Sequence, residues 1–200
     1  MKELIFIMLL ALVTISLVAE EAKLNAEIIK VYREELPAVR FIGKKYLDED
    51  RVNHTFGTKW DQWFENSWFD TIKNQVGAEK NKHIFDKVGE TIGLMKIKLK
   101  EEDIFEYWIG MFVTENTTVP EGFSYVDFPP SSLGVCWVQG VEPDIYWACE
   151  NVIKRLRDEG YEIIPDSNGS FWSLESYISP RFTTPDENGK IILDRSYYVK

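Results

Sequence analysis

The chain has little that metal or redox chemistry could use. Its 200 residues include two cysteines, Cys136 and Cys149, and two histidines, His54 and His83. The cysteines form no Cys-x-x-Cys pair and the histidines stand alone, so no zinc site or other metal centre is expected. Surface or loop positions suit both histidines. Basic clusters are missing as well. The formal charge is −10, whereas a nucleic-acid footprint needs a basic face. "KIKLK" at 96–100 is a lone alternating patch. The sequence carries no Ser-His-Asp set and no phosphate-binding loop, and no cofactor is expected. Low-complexity linkers are absent after the first residues. The length therefore suits one domain, or one domain with an extra segment. The acidic balance weakly favours cationic partners, or simply solubility.

Aromatic residues are plentiful. They make up 14% of the chain, with seven Trp and nine Tyr, in a sequence that is 44% hydrophobic. So many rings either fill a core or line a pocket, and core filling is the default.

"MKELIFIMLLALVTISLVAEEA" (1–22) opens with Lys2 and an unbroken apolar or small run, Leu4 to Ala19. It resembles the apolar region of a secretory signal peptide and is short for a membrane span of roughly 20 residues. Glu3 weakens the positive start, and cleavage after Ala19 would put Leu17 at the −3 position. An uncleaved membrane anchor is therefore the second reading. A buried amphipathic helix ranks last, because the run has no polar face. Export or anchoring is expected, with a cytoplasmic location as the alternative. An oxidising compartment would permit a Cys136–Cys149 bridge. Asn-x-Ser/Thr triplets at Asn53, Asn116 and Asn168 matter only in a glycosylating cell.

The remainder, 26–200, reads as a succession of short elements. "AEIIKVYREELPAVRFIGKKY" (26–46) gives two strands broken at "ELP". Residues 55–77 give a helix, with Phe56, Trp60, Trp63, Phe64, Trp68, Ile72 and Val76 on one face and Gly77 as the stop. Helix-to-sheet packing explains this Trp stripe better than a cofactor box does. Strands follow at 92–100 and 104–114, a turn at 120–123, and two strands around "FPP" within 124–140. Residues 142–160 give a second helix, with Ile145, Ala148, Cys149, Val152 and Leu156 inward and Gly160 at its end. The last strands are 171–179 and 190–199. Strand, Pro-containing bend, strand, helix, strand, turn, strand thus occurs twice. A duplicated strand-strand-helix-strand-strand unit predicts an α+β fold. The sheet should be mostly antiparallel, with two main helices on one face and a ligand cleft on the other, between the repeats.

"FEYWIGMFV", "PEGFSYVDFPP", "SLGVCWVQG", "FWSLESYIS" and "IILDRSYYVK" follow one another in an order that resembles the GyrI-like small-molecule-binding domains. These are the effector-binding domains of Rob and BmrR type regulators. The resemblance covers about residues 26–200 and is strongest from 104 onward. It implies the duplicated fold, a groove between the halves, and binding of hydrophobic, often cationic, organic molecules. The family's groove carboxylate matches the Glu of "LESY", here Glu175. Some relatives bind gyrase, and a similar branch hydrolyses strained cyclopropyl compounds with the same Glu. The regulators carry an upstream helix-turn-helix domain. The apolar leader stands there instead, so neither direct transcriptional regulation nor an intracellular gyrase partner is expected.

Strand parity puts Ser173, Glu175 and Tyr177 on one face of 171–179 and Trp172, Leu174 and Ile178 on the other. The apolar set should meet the helices, leaving Glu175 and Tyr177 in the cleft. A carboxylate among rings is costly to ionise, and a lipophilic cation would compensate it and stack on the rings. Parity also admits one of Tyr107 and Trp108 to the cleft, not both. If Cys136 faces the helix bearing Cys149, Trp137 faces the cleft. Tyr146 and Trp147 are candidates for its rim. The first reading is a non-enzymatic binder of hydrophobic, cationic or aromatic small molecules. The alternatives are a hydrolase of strained electrophiles using Glu175, and a gyrase-inhibitor-like interaction module. A membrane tether would come from the leader; the sequence leaves the oligomeric state open.

Overall fold

The computed structural model describes residues 25–98 and 105–200. The leader (1–22) lies outside them, as do the expected ends of the third and fourth strands at 99–100 and 104. No helix among the described residues is long and apolar enough to cross a membrane.

Eight strands form one sheet: β1 (Ala26–Leu36), β2 (Val39–Tyr46), β3 (Ile92–Lys98), β4 (Phe105–Thr114), β5 (Ser124–Phe128), β6 (Ser131–Gly140), β7 (Ser170–Ser176) and β8 (Ile191–Val199). Four α-helices accompany them: α1 (Gly57–Glu65), α2 (Trp68–Val76), α3 (Ala78–Val88) and α4 (Cys149–Asp158). Of two 3-10 turns among the described residues, Asp48–Asp50 follows β2 and Asp144–Trp147 leads into α4. The fold is the expected α+β arrangement, with every pairing antiparallel.

The strand order is β1-β6-β8-β7-β3-β4-β2-β5. Exchanging β1–β4 with β5–β8 reproduces the same order reversed. The two halves are therefore related by a pseudo-two-fold axis between β3 and β7. They also trade edge strands: β1 of the first half pairs with β6, and β5 of the second with β2.

The sheet curls sharply. Phe128 on β5 stacks on Tyr198 of β8 at 5.2 Å and meets Trp172 of β7 edge-on at 5.2 Å. β5 and β8 are five strand spacings apart in the sheet, roughly 24 Å if it were flat. The curl is what brings these rings together. Its inner face holds one core, including Phe41, Leu94, Trp108, Phe112, Leu133, Trp172 and Leu174, with Ile84 and Val88 of α3 at its end.

The outer face carries the helices in two groups. Trp63, Phe69, Ile72 and Val76 of α1 and α2 pack on Tyr107, Ile109 and Met111 of β4. Ile145, Ala148, Val152 and Leu156 of the 3-10 turn and α4 pack on Cys136, Val138 and Leu193. This corrects the assignment of Trp172 and Leu174: they line the inside of the curl rather than meeting the helices. A strongly curled sheet buries its inner face against itself, so those apolar side chains need no helical cover.

Two local details depart from the helical reading. The first helix breaks at Ser67, which has φ 51°, and Phe64 is left 61% exposed. Gly77 (φ 77°) ends α2 as expected, but α3 starts directly after it. The inward positions of α3 are Asn81, Ile84, Phe85 and Val88. Asn81 is fully buried; its Oδ1 accepts from Thr114 N (2.8 Å) and its Nδ2 donates to Gly77 O (3.0 Å). That polar anchor masks the helical period in the sequence. At the other helix, Gly160 (φ 85°) follows the α4 end, and Tyr161 N closes back on Leu156 O at 3.0 Å, a C-terminal cap of the Schellman kind.

Candidate functional site

A single row of facing residues crosses seven strands on the helix-bearing side: Val31, Cys136, Arg195, Glu175, Gly93, Ile109 and Lys44. Residues opposite one another in adjacent strands project to the same face. Glu175 therefore lies on the side of the sheet that carries the helices, between the two helical groups, and not on the opposite face where the cleft was expected; that face is taken up by the inner core of the curl. Glu175 stands beside the pseudo-two-fold axis, opposite Gly93 of β3 and Arg195 of β8. Gly93 makes room for it. A Cβ there would meet the Tyr107 hydroxyl at 2.6 Å and Glu175 Oε2 at 3.1 Å.

The carboxylate is buried, at 6% exposure, and so is its partner. Oε1 accepts a charge-assisted hydrogen bond from Arg195 Nη1, which makes a buried ion pair. Oε2 accepts from the Tyr177 hydroxyl (3.0 Å) and the Tyr107 hydroxyl (3.2 Å). Trp60 Nε1 of α1 in turn donates to the Tyr107 oxygen at 3.0 Å. The other end of the Arg195 guanidinium reaches Cys149 Sγ through Nη2, at the start of α4.

Rings enclose this network. Trp60 meets Tyr177 edge-on at 4.8 Å, Phe182 meets Tyr177 edge-on at 4.7 Å, and Phe56 stacks on Tyr107 at 4.3 Å. Burial, and then the Glu175 charge, hold the Tyr107 and Tyr177 phenols well above their ordinary value. Burial works against the charge of Arg195, but Glu175, Cys149 and Tyr197 more than offset it, and its guanidinium is held above its usual range. Tyr146, on the 3-10 turn, is likewise pushed up, by burial and by its bond to Glu142.

The structure thus brings Glu175, Tyr177 and Tyr107 together. It resolves the choice on β4: Tyr107 faces Glu175, and Trp108 faces the inner core, its Nε1 donating to Glu106 Oε2 at 3.0 Å. Trp137 stays apart from this group. Cys136 does face α4, but the same row places Glu175 there too, so Trp137 points to the opposite side. Its Nε1 donates to Asp194 Oδ2 at 3.2 Å, and Arg181 sits 4.8 Å over its ring. Arg181 and Asp194 form a two-pronged ion pair at 2.6 and 2.7 Å. Burial leaves the Asp194 carboxyl above its ordinary value despite Arg181, and lifts the neighbouring Tyr32 phenol to about 12. Trp147 is 59% exposed beside Tyr146. Both cysteines are free thiols; burial drives that of Cys136 up to about 12.

Arg195, Trp60 and Phe182 escaped the sequence reading as site residues. Arg195 had one signal: a basic residue in the middle of the terminal strand, between Asp194 and Ser196, at a position sharing its face with Tyr197. Trp60 was assigned to helix packing; its contacts with Tyr107 and Tyr177 distinguish it.

Two cavities lie elsewhere. One, of about 350 Å3, lies beside α4, where Ile28 and Arg155 contribute to its wall. The other, of about 330 Å3, opens at the end of the curl between Phe128, Pro130, Trp172 and Tyr198. Beside Glu175 the two helical groups touch, where Trp60 meets Tyr177.

The duplicated sheet with exchanged edges is a fold found in solved proteins, and that much the comparisons show. A putative bacterial transcription regulation protein from Staphylococcus aureus MU50 superimposes with a TM-score of 0.54 at 14% identity, over 86% of this chain and 98% of its own. SAV2435 bound to tetraphenylphosphonium gives 0.57 at 14% identity, over 86% and 94%. EcmrR in its DNA complex gives 0.52 at 12% identity, over 100% and 68%. No protein-family model and no curated protein matches the chain.

Proposed function

We propose that this chain binds aromatic small molecules in the gap between its two helical groups, over Glu175. The observation that carries the reading is the Glu175–Arg195 ion pair, buried in the central strands within a ring of Tyr107, Tyr177, Trp60 and Phe182. A buried ion pair is a poor way to stabilise a sheet, since well-packed apolar residues do as well or better. A polar centre walled by rings is how ligand pockets fix orientation. The order of sequence motifs that resembles GyrI-like domains supports the reading, as do the aryl rings, though not the charge, of the tetraphenylphosphonium bound to a solved protein of this fold.

Entry requires movement of Trp60. The helix that carries it, α1, buries only Trp63 among its nine residues, so it is the least anchored wall of the site. Glu175 organises the rings by accepting from both phenols and from Arg195. That arrangement favours binding over hydrolysis. A carboxylate that activates water needs a free acceptor site facing it; here the group is buried and three donors take most of its lone-pair sites.

Titration of intrinsic Trp fluorescence with a panel of aromatic compounds tests the proposal. Saturable quenching is expected, weakened at least tenfold in Tyr177→Ala. A panel with no saturable response, or binding that Tyr177→Ala leaves unchanged, rejects it.

A further inference from the structure

The site already holds its own cation. Arg195 is 1% exposed and fixed in the middle of β8, with Glu175 on one side and Cys149 on the other. From this geometry we infer that the gap selects uncharged aromatic molecules, and that Arg195 is the residue that excludes lipophilic cations. The inference rests on the binding reading above and deepens it.

The argument is one of charge balance. A carboxylate alone among rings would attract a cation, because its own charge is uncompensated and cation and ring attract each other. Here the guanidinium supplies the compensating charge from within the fold. Glu175 Oε1 is committed to Arg195, and Oε2 to Tyr107 and Tyr177. A cationic ligand over Glu175 would find the pair neutral and the Arg195 charge close by, in surroundings that screen poorly. It could not displace Arg195, because a strand residue with a buried guanidinium has no route to water. Leaving that guanidinium unpaired costs more than a ligand's single contact returns. A neutral aromatic molecule meets none of these penalties and still stacks on Trp60 and Tyr177. Selectivity then comes from an unfavourable element built against the wrong ligand.

The test uses three phenyl-bearing probes of different charge: triphenylphosphine oxide (neutral, three rings), tetraphenylphosphonium (cationic, four rings) and tetraphenylborate (anionic, four rings), titrated against the full chain by Trp fluorescence, with the change of order between wild type and variants as the readout that ring number does not affect. The wild type is expected to bind the neutral probe at least tenfold more tightly than the phosphonium ion. Arg195→Met, which leaves Glu175 uncompensated, should reverse that order. Glu175→Gln keeps a side chain able to bond Arg195 and both phenols, and leaves the guanidinium as a net positive charge. It should gain at least tenfold in affinity for tetraphenylborate relative to its affinity for the neutral probe. This second variant decides the matter where Arg195→Met does not fold. Wild-type binding of the phosphonium ion as tight as that of the neutral probe overturns the inference and leaves the binding reading standing. Tetraphenylborate affinity unchanged relative to the neutral probe in Glu175→Gln also overturns it. Failure of all three probes and of the wider aromatic panel overturns the binding reading itself.

Discussion

Removing one partner of the Glu175–Arg195 pair leaves a buried charge with no counter-ion, and that sets the size of the effect. Arg195→Met should destabilise the fold by about 3–5 kcal/mol. The double variant Arg195→Met/Glu175→Gln should recover much of this, because no charge is then stranded. Denaturant unfolding of the two singles and the double gives the coupling directly; strictly additive losses would mean the pair does not act as a unit. Tyr177→Phe removes one donor to a charged acceptor and should cost about 1.5–3 kcal/mol. At this scale parity was informative. It put Glu175 and Tyr177 on one face, and it narrowed β4 to one ring of two. It could not identify Arg195 as the partner of Glu175, because which residue of β8 stands opposite Glu175 depends on register, and register is settled by contacts along the whole pair of strands.

Each element carries a local feature whose effect is measurable. Ser67 holds the break between α1 and α2 in the left-handed region, at φ 51° and ψ 38°, where a side chain is strained and glycine is not. Ser67→Gly should therefore raise the unfolding midpoint, by about 0.5–1 kcal/mol of stability; a lower midpoint would show that the Ser67 side chain contributes more than its backbone strain costs. On β3, Gly93→Ala would drive a methyl to 2.6 Å from the Tyr107 hydroxyl. A loss of about 1–3 kcal/mol is expected, together with loss of aromatic ligand binding. Strand limits were largely readable, since alternation and Pro-containing bends mark them. The helices were less so. The break at Ser67 follows no breaker residue, and α3 escaped because its first inward position is Asn81, whose amide is satisfied by Gly77 O and Thr114 N rather than by water.

At the scale of the whole molecule, the duplicated order of elements was visible in the chain, but the exchange of edge strands was not. Pairing β1 with β6 and β5 with β2 depends on contacts far apart in sequence, and so does the curl that sets Phe128 on Tyr198. The buried phenols also make a global prediction. Tyr107 and Tyr177 titrate well above their ordinary value in the fold, whereas in the unfolded chain they ionise near pH 10. Above that pH the unfolded state has released protons that the folded state retains, so stability falls as pH rises. Unfolding followed jointly by phenolate absorbance and circular dichroism should show the last part of the phenolate signal rising together with the loss of structure above about pH 10. Phenolate appearing in full before any loss of structure would contradict the burial of these groups. The central claim, that an aromatic ligand occupies the gap over Glu175, is tested most directly by fluorine NMR of the chain labelled with 5-fluorotryptophan. It has seven tryptophans, and Trp60→Phe assigns the resonance of the one that closes the gap. Titration with triphenylphosphine oxide should shift the Trp60 resonance most. A ligand that shifts Trp172 at the end of the curl and leaves Trp60 unmoved would contradict the account.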